Sequence, residues 1–172
     1  MIRRPWVLFL LSLGMIHSVA AAELSKDALR MKERVIALSQ REGSVAALRI
    51  ELMDGGMGSA RFYDIANGKV VSRAWDVPGS PEKRNERAVT DEEVRQLLRE
   101  LIEKEYWTFE GTRFVPDANM FLFRFYDKDL QPVDYRCDAQ EYQSSEQRSA
   151  IRAVFLNFVA DHAVQAEKPI GR

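Results

Sequence analysis

Segments in which apolar and polar residues alternate, separated by short turn sequences, constrain the fold of this chain more than any other feature. Such alternation is typical of half-buried β-strands, because successive side chains point to opposite faces of a sheet. Three of these segments follow one another, and Asn67-Gly68, the strongest two-residue hairpin signal, separates the second from the third. They cover residues 46–52, 60–65 and 69–75. The pattern predicts an antiparallel β-meander.

A second hairpin is predicted between residues 120 and 137. Phe121, Phe123 and Phe125 share one face of its first strand. The opposite face carries Met120, Leu122, Arg124 and Tyr126. Residues 127–132 are typical of a turn, and the returning strand presents one face made of Val133, Tyr135 and Cys137.

Two helices are predicted from apolar spacing and capping residues. Residues 25–41 carry apolar side chains at helical intervals behind Ser25, which can cap the first turn. Residues 90–105 begin with Thr90 and Glu93, whose spacing predicts a capping box. Both helices have one apolar face, so each is expected to pack on the sheet.

The last helix is predicted from a capping box of Ser144 and Gln147 followed by an apolar stripe. Residues 77–88, which hold two prolines and mixed charge, predict a surface loop. The element order is then α-βββ-α-ββ-α. We expect an α+β fold with a mainly antiparallel sheet, built from a β-meander plus a hairpin, and with helices packed on one face.

The N-terminus has the layout of a cleavable export signal. Arg3 and Arg4 precede an apolar run over residues 6–16, and small residues follow at positions 18–22. This order predicts a signal peptide over residues 1–22, because the positive end, the apolar run and the small-residue cleavage site each serve translocation. The apolar run is too short for a membrane anchor. We expect a bacterial protein that is periplasmic or secreted.

Residues 23–172 have the length of a single domain. The chain carries 25 Lys and Arg against 26 Asp and Glu, a formal net charge of −1, so no basic block predicts nucleic-acid binding. No second apolar segment is long enough to span a membrane after signal cleavage. The oligomeric state stays open.

Histidine and cysteine are too scarce for most catalytic or metal chemistry. His17 leaves with the signal, which keeps His162 as the only histidine, and Cys137 is the only cysteine. We therefore expect no metal site, no cofactor and no disulfide, with Cys137 as a buried packing residue. Carboxylate chemistry by Asp117, Asp127 and Asp129 is a remaining alternative, although acidic residues are common in hairpin turns.

Two segments are candidates for binding a partner. The first is a glycine-rich turn that would present an exposed tip, made of Asp54, Gly55, Gly56, Met57 and Gly58. It lacks the residues of a nucleotide-binding loop. The second is an aromatic segment after the second helix, with Trp107, Phe109 and Phe114. These aromatic side chains either plug the core or form a contact patch.

The order of a strand, a Gly-Gly turn, a strand, a helix, a hairpin and a helix resembles that of small emfourin-like inhibitors of metalloproteases. The resemblance is carried by residues 50–63 with Asp54–Gly58, the helix over 92–103, Asp117, the hairpin over 121–135 and the last helix. It implies a protein that binds and inhibits an enzyme. This chain adds an N-terminal helix, a third strand and an export signal.

These features predict an exported, non-enzymatic binding protein that inhibits or neutralises another protein. The target would be a secreted hydrolase or a toxin delivered to the envelope, in which case the chain is an immunity-type protein. Shape complementarity alone suffices for such a role, so it leaves little trace in a sequence. The alternative is a small-ligand or lipid-binding envelope protein whose pocket is lined by the phenylalanine-rich strand.

Overall fold

The strands and helices form an α+β fold, as the sequence predicts. The computed structural model describes residues 24–56, 60–74, 82–109 and 119–163, so the predicted signal peptide lies outside the described residues. The α-helices are α1 (Lys26–Ser39), α2 (Asp91–Glu103), α3 (Ala139–Ser144) and α4 (Glu146–Ala163). The strands are β1 (Leu48–Gly55), β2 (Arg61–Ala66), β3 (Lys69–Ala74), β4 (Lys83–Ala88), β5 (Met120–Asp127) and β6 (Val133–Asp138).

The strands form one sheet of six strands in the order β4-β3-β2-β1-β5-β6. Every neighbouring pair is antiparallel, so the predicted meander and hairpin are joined side by side through β1 and β5. In the middle of the sheet Leu52 lies opposite Tyr63 on β2 and opposite Phe123 on β5. This register determines which side chains share a face.

The helix starts that the sequence predicts are confirmed for α1 and α2. The Ser25 hydroxyl accepts a hydrogen bond from the Ala28 backbone N–H at 3.1 Å. At α2, Thr90 Oγ1 accepts from the Glu93 backbone N–H at 3.2 Å, and the Glu93 carboxylate accepts from the Thr90 backbone N–H at 2.7 Å. These bonds satisfy N–H groups that a helix leaves without intrahelical partners.

The core lies between the helices and one face of the sheet. Phe121, Phe123 and Phe125 are fully buried, as their alternation predicts, and Tyr135 stacks on Phe123 with ring centroids 4.9 Å apart. Buried side chains of α1, α2 and α4 belong to the same cluster. The alternate strand positions, such as Met53 and Leu122, do not belong to it. The described helices therefore pack on one face only.

Part of the predicted loop over residues 77–88 is a strand. Residues 77–81 lie outside the described residues, but Lys83–Ala88 form β4 at the edge of the sheet. Charged residues suit an edge strand because they discourage further strand pairing. Lys69 on β3 also forms an ion pair with Glu86 across the two strands. A strand without an apolar face was not recognisable from alternation.

The predicted capping box of Ser144 and Gln147 is wrong. A separate short helix, α3, precedes α4, and Ser144 is its last residue. The α4 helix begins one residue later than the predicted capping box implies, and the Ser145 hydroxyl accepts from the Arg148 backbone N–H at 3.3 Å. The Gln147 side chain instead donates to the Lys104 carbonyl at 3.1 Å.

Candidate functional site

The glycine-rich turn begins at the end of β1, and the side chain of its first residue, Asp54, forms an ion pair within the protein. The Asp54 carboxylate accepts two hydrogen bonds from the Arg152 guanidinium of α4, at 2.9 and 2.8 Å. Gly55 has a positive φ of 122°, a conformation that favours glycine, and the described part of this segment ends at Gly56. Met57 and Gly58 lie outside the described residues. Asp54 therefore ties the sheet to α4.

The aromatic segment is divided between the core and its margin. Phe109 is fully buried and contacts Phe123, with ring centroids 5.3 Å apart, so its side chain plugs the core and does not form a contact patch. Trp107 is half-buried, and Lys32 Nζ of α1 lies 3.6 Å from the centre of its ring. Phe114 lies outside the described residues. Neither described aromatic residue forms an exposed patch.

Two of the groups singled out for possible catalysis, Asp127 and Cys137, are buried in the fold, whereas Asp129 is exposed. Asp127 is buried and accepts a hydrogen bond from Arg34 Nε at 2.8 Å, while Asp117 lies outside the described residues. Cys137 is fully buried, and burial raises the pKa of its thiol to about 12. Within the described ranges, no group of three or more His, Cys, Asp or Glu side chains could hold a metal ion.

The phenylalanine-rich strand does not line a pocket in the described part of the protein. Phe121, Phe123 and Phe125 are fully buried, and their rings contact other aromatic rings of the core. A cavity of about 210 Å³ lies elsewhere, between α2 and α4, over Leu97, Val154 and Phe158. Small-molecule sites usually enclose about 300–1,000 Å³. This cavity is below that range, so it offers no support for a lipid or a drug-sized ligand.

The face of the sheet opposite the helices carries side chains that do not belong to the core cluster, and we call it the outer face. Its side chains alternate with the buried ones along each strand, which places residues of adjacent strands in rows that cross the sheet. Two such rows have contrasting chemistry. We call the first the paired row, because its carboxylates are paired with arginines of the outer face, and the other is apolar in the middle and basic at both ends.

The paired row is a network of fixed charges. Glu51 and Asp64 lie directly opposite each other, which is unfavourable for two carboxylates, but Arg49 contacts both at 2.7 and 2.9 Å. Arg124 forms an ion pair with Asp134 across β5 and β6. The Asp64 carboxylate raises the pKa of Arg49, and Asp134 raises that of Arg124. These bonds hold long side chains in defined positions.

The second row, which we call the arginine row, lies two residues along the strands from the paired row. Its members are directly opposite one another in the register of the sheet. From β6 to β4 they are Arg136, Leu122, Met53, Phe62, Arg73 and Arg84. The three apolar side chains are half-buried and adjacent, and the row contains three arginines and no carboxylate.

Sequence reasoning missed the arginine row because its members are scattered over residues 53–136. Each strand contributes only one or two of them, and neither Met53 nor Arg73 is unusual in its own segment. Only the pairing register brings them together. The nearest signal in the sequence is the alternation itself, since Leu122 alternates with the buried phenylalanines.

Comparison with known proteins identifies no family for this chain: no family model matches it, and no curated protein is significantly similar to it. None of the helices in the described ranges combines the length and the apolar character needed to cross a membrane.

Proposed function

We propose that the protein is exported and acts as a binding protein that inhibits or neutralises another protein through the outer face of its sheet. The observation that carries the proposal is the arginine row, in which Leu122, Met53 and Phe62 form an apolar strip that no described helix covers. Apolar surface flanked by polar groups is typical of protein-binding sites.

The shape of the outer face favours a protein as the ligand. Six strands span about 24 Å across the sheet, and the rows extend over this width. A small molecule needs a concave site to bury most of its area, whereas a second protein can cover a flat face. The paired row supports this role because Arg49 and Arg124 are already held in place, which lowers the entropy lost on binding.

The alternative, a small-ligand or lipid-binding protein, has lost the observation that suggested it. The phenylalanines expected to line its pocket are in the core. The target classes of the leading proposal are a secreted hydrolase, which includes the metalloproteases implied by the resemblance to emfourin-like inhibitors, or an envelope-targeted toxin.

Export is tested by expressing the full chain in a bacterium and analysing the periplasmic fraction by mass spectrometry. We expect the N-terminus of the exported protein at Glu23 or one residue earlier. A chain that stays in the cytoplasm at its full mass would contradict export.

Binding is tested by immobilising residues 23–172 and applying envelope and secreted fractions, with Met53→Asp as the matched control. Met53 is in the middle of the apolar strip and outside the core, so this change places a charge on the surface without altering the buried face. We expect a hydrolase or toxin that the original protein retains and M53D does not, and whose activity falls in solution when the original protein is added. Equal retention by both, or binding without loss of activity, would overturn the proposal.

A further inference from the structure

We infer that the side of β4 that faces away from β3, which we call the free edge, accepts an extended segment of the partner as a seventh, antiparallel strand. This inference rests on the proposed function, because it specifies how a bound protein continues the sheet past β4. It follows from the direction of the backbone groups of β4 and from the charges at this edge.

The backbone groups of β4, a terminal strand of the sheet, alternate between β3 and the free edge. The Val89 N–H donates to the Gly68 carbonyl at 2.8 Å, one step beyond the last pair of the β3–β4 register. Opposite residues that bond to each other recur at every second position of an antiparallel pair. The odd-numbered residues of β4 therefore bond to β3, and the N–H and C=O groups of Arg84, Glu86 and Ala88 point to the free edge.

These three positions are arranged to pair with another strand. Arg84, Glu86 and Ala88 are exposed, and no strand of the described sheet pairs with this side of β4. They are two residues apart, or about 6.6 Å, which is the repeat of the bonding positions on an added strand. Extended peptides join sheet edges in this way, with affinity from backbone hydrogen bonds and specificity from side chains.

The charges of the free edge argue against a second copy of this chain as the added strand. In the antiparallel register that uses all three positions, Glu86 lies opposite the same residue of the second copy, and like charges in this arrangement repel. A register shifted by two residues leaves one of the three positions beyond the end of the other strand. Charged edge strands discourage self-pairing for this reason. The free edge therefore favours a different chain.

Arg84 determines the chemistry of the added segment. Its side chain is 61% exposed and approaches Glu86 only to 3.8 Å, while Glu86 forms an ion pair with Lys69. Arg73 lies opposite Arg84 on β3 and adds to the positive charge there. Opposite charges on facing residues stabilise strand pairing, and like charges weaken it. The partner segment therefore carries a carboxylate opposite Arg84 and none opposite Glu86.

The inference is tested with two blocked, fluorophore-labelled peptides of the same composition. In the antiparallel register that uses all three positions, Thr-Val-Thr-Val-Thr-Glu-Thr places its carboxylate opposite Arg84, and Thr-Val-Thr-Glu-Thr-Val-Thr places it opposite Glu86. We expect the first peptide to bind residues 23–172 at least about threefold more tightly, measured by fluorescence anisotropy at about 20 mM salt, where exposed charges are weakly screened. Equal binding of the two peptides, or no binding of either, would overturn the inference.

A proline at position 88 tests the backbone contact. Ala88→Pro removes an N–H that points to the free edge and leaves the bonds to β3 in place, and Ala88→Ser is the control because it keeps the N–H. We expect A88P to weaken binding of the first peptide at least about fivefold and A88S to change it by less than about twofold. Equal binding by A88P and A88S would overturn the inference.

Amide hydrogen exchange followed by NMR tests the same geometry without a substitution. In the free protein we expect the N–H groups of Arg84, Glu86 and Ala88 to exchange faster than those of Asn85 and Arg87, which bond to β3. The first peptide should slow exchange at the former three positions. Exchange at these positions that saturating peptide does not slow would overturn the inference.

The behaviour of a natural partner separates this inference from the proposed function. We expect both M53D and A88P to release it. A partner that M53D releases and A88P retains would overturn the inference alone and leave the proposed function intact. A failure of M53D to release any partner would overturn the proposed function itself.

Discussion

At the scale of single residues, buried charge in this protein is held by partners from distant segments. The Asp127 side chain is 1% exposed and accepts from Arg34 Nε at 2.8 Å and from the Asp129 backbone N–H at 3.0 Å. Burial by itself would raise the pKa of this carboxyl, but the hydrogen bonds, that of Arg34 foremost, lower it below its ordinary value. The acidic hairpin turn therefore anchors α1 to β5.

This anchor predicts a loss of stability on substitution. Asp127→Asn removes the charge that holds the partly buried Arg34, and we expect the free energy of unfolding at pH 7 to fall by about 1–3 kcal/mol. Urea denaturation followed by circular dichroism measures it. Asp129→Asn, at an exposed position of the same turn, is the control and should change the free energy by less than about 0.5 kcal/mol.

The same pair predicts a dependence on pH. The pKa of Asp127 in the folded state is lower than in the unfolded state, where it is about 3.9. The stabilisation is then complete above about pH 5, where the carboxyl is ionised in the unfolded state as well, and is lost as the pH falls through the folded-state pKa. We expect the difference in unfolding free energy between the original protein and D127N to shrink between pH 5 and pH 2. A difference that stays constant over this range would contradict the assignment.

Cys137 gives a third prediction at this scale. Its side chain is buried and the pKa of its thiol is about 12, so thiolate is scarce at pH 8 and the sulfur is shielded. We expect iodoacetamide to leave the native protein unmodified and to label it once in high urea, as seen by mass spectrometry. Labelling of the native protein at the rate of the unfolded chain would show that Cys137 is accessible.

At the scale of helices and strands, patterns with a strong local cause were predictable and patterns without one were not. The alternation in β5 and the capping box at Thr90 depend on neighbouring residues, and both are confirmed. The β4 strand has no apolar alternation and forms because β3 offers an edge to pair with. Tertiary context of this kind overrides weak local preference for strand.

The adjacent serines at the start of α4 provide a test at the scale of this element. Ser145 accepts from the Arg148 backbone N–H, whereas Ser144 belongs to α3 and donates its hydroxyl to the Glu141 carbonyl. We expect Ser145→Ala to lower the free energy of unfolding by about 0.5–1 kcal/mol through loss of the cap, and Ser144→Ala to lower it by less. If urea denaturation showed a larger loss of stability for S144A than for S145A, Ser144 would be the cap of α4, as the sequence predicts.

At the scale of the whole molecule, the fold class followed from the order of the elements but the proposed site did not. The glycine-rich turn and the aromatic segment were predicted as binding sites because their residues are close together in the sequence. In the structure, however, Asp54 binds Arg152 of α4 and Phe109 is fully buried. The arginine row crosses all six strands, so no stretch of sequence contains it. The buried face can be read from alternation because water exclusion selects apolar residues there, while the outer face carries no such uniform rule.

The two faces of β5 allow stability and binding to be separated. Phe123 is fully buried among aromatic rings, so we expect Phe123→Ala to lower the free energy of unfolding by about 3–5 kcal/mol. Leu122, its neighbour on the outer face, is half-buried, and Leu122→Ala should cost only about 1 kcal/mol, since part of its area is exposed in the folded state. Both values are measured by urea denaturation.

If the outer face binds the partner, L122A also weakens that complex in a titration at a temperature where the variant stays folded. An unchanged affinity of L122A for the partner would show that the apolar strip is not part of the contact surface. A loss of stability equal to that of F123A would show that Leu122 is as fully packed as the core.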